Sequence, residues 1–386
     1  MYQTYQQYYT KRKDIGKYRQ LPESQFKPTL DFSTNDYLAL SQHEALLAAA
    51  VQAGKTYGTG ATGSRLFSGN QLIFEQLEER IAFDKNTESA LIFNSGFQTN
   101  ITVLSSLLDA SILGKPPIVF FDKLNHASLY QALFLSGAEI IRYHHNDMQH
   151  LSDKLSQFKN VDRPKFIVAE TLFGMDGDIL PIQDVTHLAF QHSAFLYLDE
   201  AHAMGILGQH GYGLSTTVDL HHIPYLIMGT FSKALGSSGG YIACSQILKN
   251  YLINKAPGFI YSTAPSPMAA GAALKAWDMV KSFENEREKL FALSSHLRTA
   301  LNHKGFNTGE SASHIIPVIL GNEDQAMQVK DTLQKEGILV SAVRPPTVPP
   351  GTSRLRIALN IQHTEKDIDQ LAECLEGTLR SDEVEP

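Results

Sequence analysis

Cysteine is scarce: Cys244 and Cys374 are the two among 386 residues. That rules out a disulfide framework and suits a reducing compartment such as the cytoplasm. Long apolar runs are missing too; none reaches the roughly 18 residues that a membrane span needs. The first stretch, MYQTYQQYYTKRK, has no apolar core, so it is not expected to act as a secretory signal. Positive charge is not in excess: the formal net charge is -7, which leaves a nucleic-acid role without electrostatic support. Internal repeats and low-complexity tracts are absent. What remains is a globular composition, 43% hydrophobic and 19% charged, in a chain long enough for one large domain and a smaller one.

The middle of the chain alternates two patterns. Short apolar runs read as buried strands: ALIF (Ala90 to Phe93), PIVFF (Pro117 to Phe121), AEIIRY, KFIVAE (Lys165 to Glu170), AFLYLD (Ala194 to Asp199) and YLIMG (Tyr225 to Gly229). Helical stretches such as GFQTNITVLSSLLD and HASLYQALFLS lie between them. This alternation predicts an α/β fold with a mostly parallel sheet covered on both faces. Ligands of such sheets bind beyond the carboxyl ends of the strands. After about Ser266 the pattern changes. A long helical stretch from Pro267 to Leu301 leads to strands near His314 to Leu320 and Arg354 to Leu359, with helices near Asp324 to Glu336 and Thr364 to Leu379. The expected division is an N-terminal arm over 1–45, a large domain over 46–270 and a small α+β domain over 271–386.

One motif is set aside. GTGATG (Gly58 to Gly63) fits G-x-G-x-x-G, with Glu78 near the required distance downstream. A dinucleotide fingerprint needs a strand before it and a helix directly after it. Here EALLAAAVQAG reads as helix and SRLFSGN as loop. The segment is either a flexible connection or a loop whose bare backbone approaches a ligand.

The strand ends carry the chemistry. Asp199, Glu200 and His202 follow AFLYL; Glu170 ends KFIVAE; His126 follows FFDKLN; Ser95 and Gly96 follow ALIFN. Lys233 sits in GTFSKALGSSGG, a stretch otherwise made of small, hydroxylated and glycine residues with one phenylalanine and one leucine. Each has a bland explanation alone, as a helix cap, a core histidine or a snorkelling lysine. Together they set acids, two histidines, a lysine and hydroxyls on one rim of one sheet. Pyridoxal 5'-phosphate needs that set. A desolvated lysine amine forms an imine with its aldehyde. A carboxylate at the pyridinium nitrogen keeps the ring an electron sink. A helix N-terminus with hydroxyls holds the phosphate.

Nearly end to end, the chain resembles the α-oxoamine synthase family of fold-type I pyridoxal-phosphate enzymes. The motifs that carry the resemblance are NDYLAL, GTGATGSRLFSGN, SGFQTN, NHASL, MDGD, LDEAHAMGILG, GTFSKALGSSGGYIA, YSTAPSP and PPTVPPGTSRLRIAL. It implies a mostly parallel seven-stranded central sheet with helices on both faces and a small C-terminal domain. It implies that Lys233 carries the cofactor and transfers protons. Asp199 pairs with the pyridinium nitrogen, His202 reaches the ring hydroxyl, and His126 stacks on the ring and borders the substrate. Gly96 and Phe97 hold the phosphate by backbone amides and Thr230 by its hydroxyl. Thr263 reaches the phosphate from a neighbouring subunit, so a homodimer with shared sites is implied. Arg356 takes the substrate carboxylate, and Asn35, Thr347 and Arg19 contact substrate. No metal is implied.

The implied reaction is a decarboxylative condensation of an amino acid with an acyl thioester. Ser232 before the lysine and the stretch VRPPTVPPGTSRLR point to the biotin-pathway branch, which takes L-alanine and a pimeloyl thioester. Whether coenzyme A or an acyl carrier protein delivers the pimeloyl group stays open. So do two alternatives: a relative using glycine or serine, and a non-catalytic subunit of the same fold, against which Lys233, Asp199 and His126 all stand. Three positions depart from the family pattern. Gly174 replaces a common serine and removes a hydrogen bond to the ring, which Gly174→Ser is expected to restore if the backbone allows it. Phe74 replaces a histidine and Ala39 a glycine, both read as packing changes.

Overall fold

The computed structural model describes residues 1–14, 18, 19, 21 and 27–382, excluding the side chains of 379–382. Its centre is a seven-stranded sheet. In chain order the strands among the described residues are β1 (Leu30–Asp31), β2 (Ser89–Phe93), β3 (Ile118–Asp122), β4 (Glu139–Tyr143), β5 (Lys165–Glu170), β6 (Phe195–Asp199), β7 (Tyr225–Thr230), β8 (Gly240–Cys244), β9 (Ile315–Gly321), β10 (Ile338–Leu339), β11 (Ser341–Val343) and β12 (Ser353–Ala358). The large sheet runs β2-β8-β7-β6-β5-β3-β4. Five of its strands, β4 to β7 with β3, pair in parallel, and β8 runs antiparallel to β7 and β2.

The apolar runs are continuous because both faces are covered. Along β5, Phe166 and Val168 pack into one hydrophobic cluster while Ile167 and Ala169 pack into the other. Helices Gly96–Leu107 and Ala127–Ser136 cover the first face; Leu72–Asp84, Ile182–Gln191 and Pro267–Val280 cover the second. The loop reading of SRLFSGN holds, with turns and no helix after Gly63. β8 had no strand signal of its own in the sequence, because GGYIA reads as the tail of the glycine-rich turn. The stretch 267–301, read as one helical run, is two helices, Pro267–Val280 and Glu284–His303, broken over residues 281–283.

The small C-terminal part is a three-stranded antiparallel sheet, β11-β12-β9, backed by helices Glu323–Lys335 and Glu284–His303, with helix Glu365–Asp382 packed against both helices. The N-terminal segment is threaded onto it. β1 pairs in parallel with β10, the Phe32 carbonyl accepts from Ala358 N–H, and the Tyr37 carbonyl accepts from Ile361 N–H. This carries residues 35–37 past β12 and toward the end of the large sheet. Helix Tyr2–Asp14, by contrast, buries none of its residues.

Ala39 is a backbone matter rather than one of packing alone. Its φ is +50°, in the left-handed region where a β-carbon costs energy and glycine does not. Phe74 is fully buried, with the Arg65 guanidinium 5.1 Å from its ring centroid.

Candidate active site

The carboxyl ends of β2, β5, β6 and β7 open on one cleft. After β7 the chain makes a tight turn: Phe231 N–H donates to Gly239, Ser237 N–H to Phe231 and Gly236 N–H to Lys233. The turn buries Phe231 and Leu235 and holds Lys233 within electrostatic reach of Asp199, Glu170 and Arg356. Burial lowers the pKa of Lys233 to about 8; Asp199 and Glu170 pull it up and Arg356 pushes it further down. The mutual influence of these groups places them together. A lysine held near 8 has a substantial neutral fraction at neutral pH, which nucleophilic and proton-transfer chemistry both require.

Asp199 ends β6 and is buried. Its Oδ1 accepts Ala201 N–H at 2.9 Å and its Oδ2 accepts the Asn100 amide at 2.7 Å. Asn100 is itself held by Tyr197 and by Ser128, so the carboxylate is oriented from three elements. Each oxygen keeps a lone pair for a further donor. Glu170, one strand over, is driven up to about 8 by burial and by the Asp199 charge, with Lys233 opposing. Next to Asp199, Glu200 forms a fully buried ion pair with Lys85 and accepts from Ser215 N–H at 2.7 Å. That pair pins the segment between Asp199 and His202.

His126 caps helix Ala127–Ser136, its Nδ1 accepting Ser128 N–H. Its ring is exposed to the cleft, edge-on to Phe97 with centroids 6.4 Å apart. Burial by its surroundings lowers its pKa, Asp199 opposing and Lys233 reinforcing the shift.

The start of helix Gly96–Leu107 faces the same space. Ser95 caps it by accepting Gln98 N–H at 3.2 Å, and Thr99 N–H goes to the Ser95 carbonyl. The amides of Gly96 and Phe97 are the ones left for a ligand. A β-carbon on Gly96 would lie 3.2 Å from Met228 and 3.4 Å from Thr230, so the helix start packs directly on the end of β7. Thr230 donates to the Gly239 carbonyl and shares a 2.8 Å contact with the Ser232 hydroxyl. Ser232, which the sequence reading used only to choose a family branch, is therefore a second hydroxyl at this point. Thr263 is exposed, and its carbonyl accepts from Asn94 of the same chain, two residues before Gly96.

The other side of the cleft comes from β12 and the threaded N-terminal segment. Arg354 and Arg356 share a strand face but have different partners. Arg354 is paired with Asp176. Arg356 is buried and donates only to neutral acceptors among the described residues: the Gly174 carbonyl, Asn35 Oδ1 at 2.9 Å and the Tyr37 hydroxyl at 3.2 Å. A buried guanidinium without a carboxylate is costly unless an anionic ligand completes it. His202 is buried, bonded through Nδ1 to the Tyr37 hydroxyl at 2.7 Å. Burial, with Lys233, Arg356, His314 and His126, holds its pKa well below the usual histidine value.

Gly174 is explained here. A β-carbon on it would sit 2.2 Å from His202 Nε2 and 2.7 Å from Cδ2 and Cε1. The imidazole occupies the room a serine side chain would need, and Tyr37 holds it there. The hydrogen bond expected to return with Gly174→Ser has no space.

The remaining expected contacts, Thr347 and Arg19, are both exposed. Thr347 sits in a turn where its N–H donates to the Arg344 carbonyl. Tyr18, the neighbour of Arg19, accepts, by its carbonyl, from Arg344 of that same loop. Sequence reasoning missed Tyr37, Asn100 and Lys85. Tyr37 lay inside NDYLAL, a motif the sequence displayed without a role for its tyrosine.

The chemistry of this donor set fits a phosphorylated aldehyde: two spare helix amides with two hydroxyls, an acid with free lone pairs, and a desolvated amine. Residues 27–375 match the family described as aminotransferase class I and II. A protein of Paramagnetospirillum magneticum, provisionally named 8-amino-7-oxononanoate synthase, is 47% identical over 342 residues, covering 89% of this chain and 86% of its own. The crystal structure of 8-amino-7-oxononanoate synthase from Francisella tularensis is 28% identical with a TM-score of 0.76, covering 92% of this chain and 99% of that one. A serine palmitoyltransferase variant from S. paucimobilis, with bound PLP and myriocin, is 26% identical with a TM-score of 0.88, covering 97% and 96%.

Proposed function

The chain belongs to the aminotransferase class I and II family and within it to the α-oxoamine synthases, and we propose that it is an 8-amino-7-oxononanoate synthase. It is a fold-type I, pyridoxal-phosphate-dependent acyl-transferring enzyme. In the proposed reaction it condenses L-alanine with a pimeloyl thioester to give 8-amino-7-oxononanoate, carbon dioxide and the free thiol. The observation that carries an amino-acid substrate is Arg356, a buried cation without a carboxylate partner among the described residues, beside a lysine whose pKa is lowered to about 8. The choice of alanine and pimeloyl rests on the relatives' name.

When bound, the cofactor supplies an aldehyde that captures amines and a ring that takes up the electron pair left on an α-carbon. Lys233 would hold the cofactor through its amine, and its Nζ would serve as the acceptor for the amino acid's α-proton. Asp199 would meet the ring nitrogen, fixed for it by Asn100. Gly96 and Phe97 amides and the Thr230 and Ser232 hydroxyls would take the phosphate. Arg356 and Asn35 would hold the substrate carboxylate, and His126 would cover the ring face. Thr347 and Arg19 would border the acyl entrance.

A homodimer belongs to this reading, with Thr263 of one copy serving the phosphate of the other. Cofactor removal should then weaken the dimer by mass action, and Thr263→Ala should loosen the cofactor by about 1 kcal/mol. Light scattering during cofactor titration reads both; a monomer that binds cofactor as tightly as the dimer would refute the shared site.

The likeness to serine palmitoyltransferase in overall shape favours one second reading, serine with another acyl thioester. Alanine, glycine and serine, each offered with pimeloyl thioester, separate the two by product mass. The alanine product supports the proposal. Turnover with serine or glycine and none with alanine overturns it.

A further inference from the structure

Three close contacts meet at the Tyr37 hydroxyl, and proton counting orders them. Tyr37 is fully buried and lies 2.9 Å from Asn35 Oδ1, 2.7 Å from His202 Nδ1 and 3.2 Å from Arg356 Nη2. Arg356 can only donate. Its Nη2 also lies 2.9 Å from the Asn35 amide, so the Asn35 atom there is the oxygen, an acceptor. Tyr37 has one proton to give.

If that proton went to His202, two bare oxygens, the fully buried Tyr37 hydroxyl and the half-buried Asn35 Oδ1, would face each other at 2.9 Å. If it goes to Asn35, every contact carries one proton. Arg356 then donates to Asn35 and to Tyr37, Tyr37 donates to Asn35, and His202 Nδ1–H donates to Tyr37. Both lone pairs of the phenol are filled, and no buried group is left facing its own kind.

We infer that Tyr37 is a positioning residue that fixes His202 as its Nδ1–H tautomer, with the bare Nε2 lone pair presented beside Gly174. His202 then accepts a proton or hydrogen bond at Nε2 and does not donate one. The absent side chain of residue 174 is part of the same device. The ring can keep its bond to Tyr37 only because no β-carbon stands 2.2 Å from Nε2. His314, buried and without a hydrogen-bond partner among the described residues, packs edge-on against Tyr37 with centroids 4.0 Å apart, and holds the phenol in place by shape. Arg356 joins this unit to the carboxylate-binding side, so the inference rests on the substrate reading for Arg356 but not on which amino acid or acyl group is used.

The test is nitrogen NMR of the full-length holoenzyme labelled with ¹⁵N-histidine, with the His202 signals assigned by their loss in His202→Gln. Protonated Nδ1 and bare Nε2 are expected in the wild type. Tyr37→Phe should move the ring toward the Nε2–H form and raise KM for the amino acid about threefold to tenfold, the usual worth of one lost hydrogen bond, with a smaller change in kcat. Gly174→Ala should give the same spectral change, and combining the two should add little. An Nε2–H tautomer in the wild type, or fully additive effects of the two substitutions, overturns the inference. Because the spectrum needs no turnover, a wrong amino-acid or acyl assignment would leave the tautomer unaffected and would show instead in the product masses.

Discussion

Arg356→Ala separates substrate recognition from structural support. In the folded protein Arg356 is 4% exposed, and its charge has no carboxylate partner among the described residues. A carboxylate arriving beside it gains charge-assisted hydrogen bonds, each contributing about 1.5–3 kcal/mol. With about 1.4 kcal/mol per factor of ten, Arg356→Ala should raise KM for the amino acid about tenfold to a hundredfold. Arg356→Lys should recover little, since an ammonium cannot reproduce a planar fork held on one side by Gly174, Asn35 and Tyr37. Stability should behave differently. Removing a buried cation that lacks an anion relieves a desolvation cost and offsets part of the lost packing. Arg354 is the control on the same strand face. It neutralises Asp176, whose pKa burial already raises, so Arg354→Ala should lower unfolding stability by about 3 kcal/mol with a lesser effect on KM. The assays are initial rates against amino-acid concentration at saturating thioester, the absorbance change of bound cofactor on amino-acid addition, and denaturant melts of both variants. If Arg354→Ala raises KM and Arg356→Ala does not, the assignment of the carboxylate site is wrong.

Three further outcomes follow from the geometry. Only the neutral Lys233 amine can capture the cofactor, and its pKa is lowered to about 8; capture by the cofactor-free chain should therefore speed up about tenfold per pH unit below that value and level off above it. A rate still climbing toward pH 10 in stopped-flow absorbance would contradict the shift, and borohydride should fix the cofactor to the peptide containing Lys233. Gly174→Ser should weaken cofactor binding and lower stability by about 1–3 kcal/mol through overpacking against His202, and tighter binding in a cofactor titration would show that the ring yields. Ala39→Gly should stabilise the protein by about 1 kcal/mol, because Ala39 holds a φ of +50°; an unchanged urea midpoint would argue against strain there.

The chain order of the parallel strands of the large sheet was written in the sequence. Each parallel strand buried on both faces needs an unbroken apolar run, and each such run ends where the fold opens, so the runs at 90–93, 165–170, 194–199 and 225–229 marked both the sheet and its reactive rim. Lys233 was legible for a related reason: the turn at that strand end is made mostly of small residues, and a lysine among them stands out. Other features depend on chain segments far apart in sequence, and local pattern is silent about them. β8 looked like a turn because glycines precede it, and only its pairing with β7 and β2 makes it a strand. Arg354 and Arg356 are equivalent by alternation; Asp176, 178 positions away, decides which one is neutralised. Gly174 looked like a lost hydrogen bond until His202 was found in its space, held by a tyrosine that the pairing of β1 with β10 brings alongside. The sequence by itself determined which groups stand at strand ends, because hydrophobic patterning is local. The partners of those groups, and with them the charge and proton on each, were decided by tertiary packing, because electrostatic and steric neighbours are set by distance in space rather than along the chain.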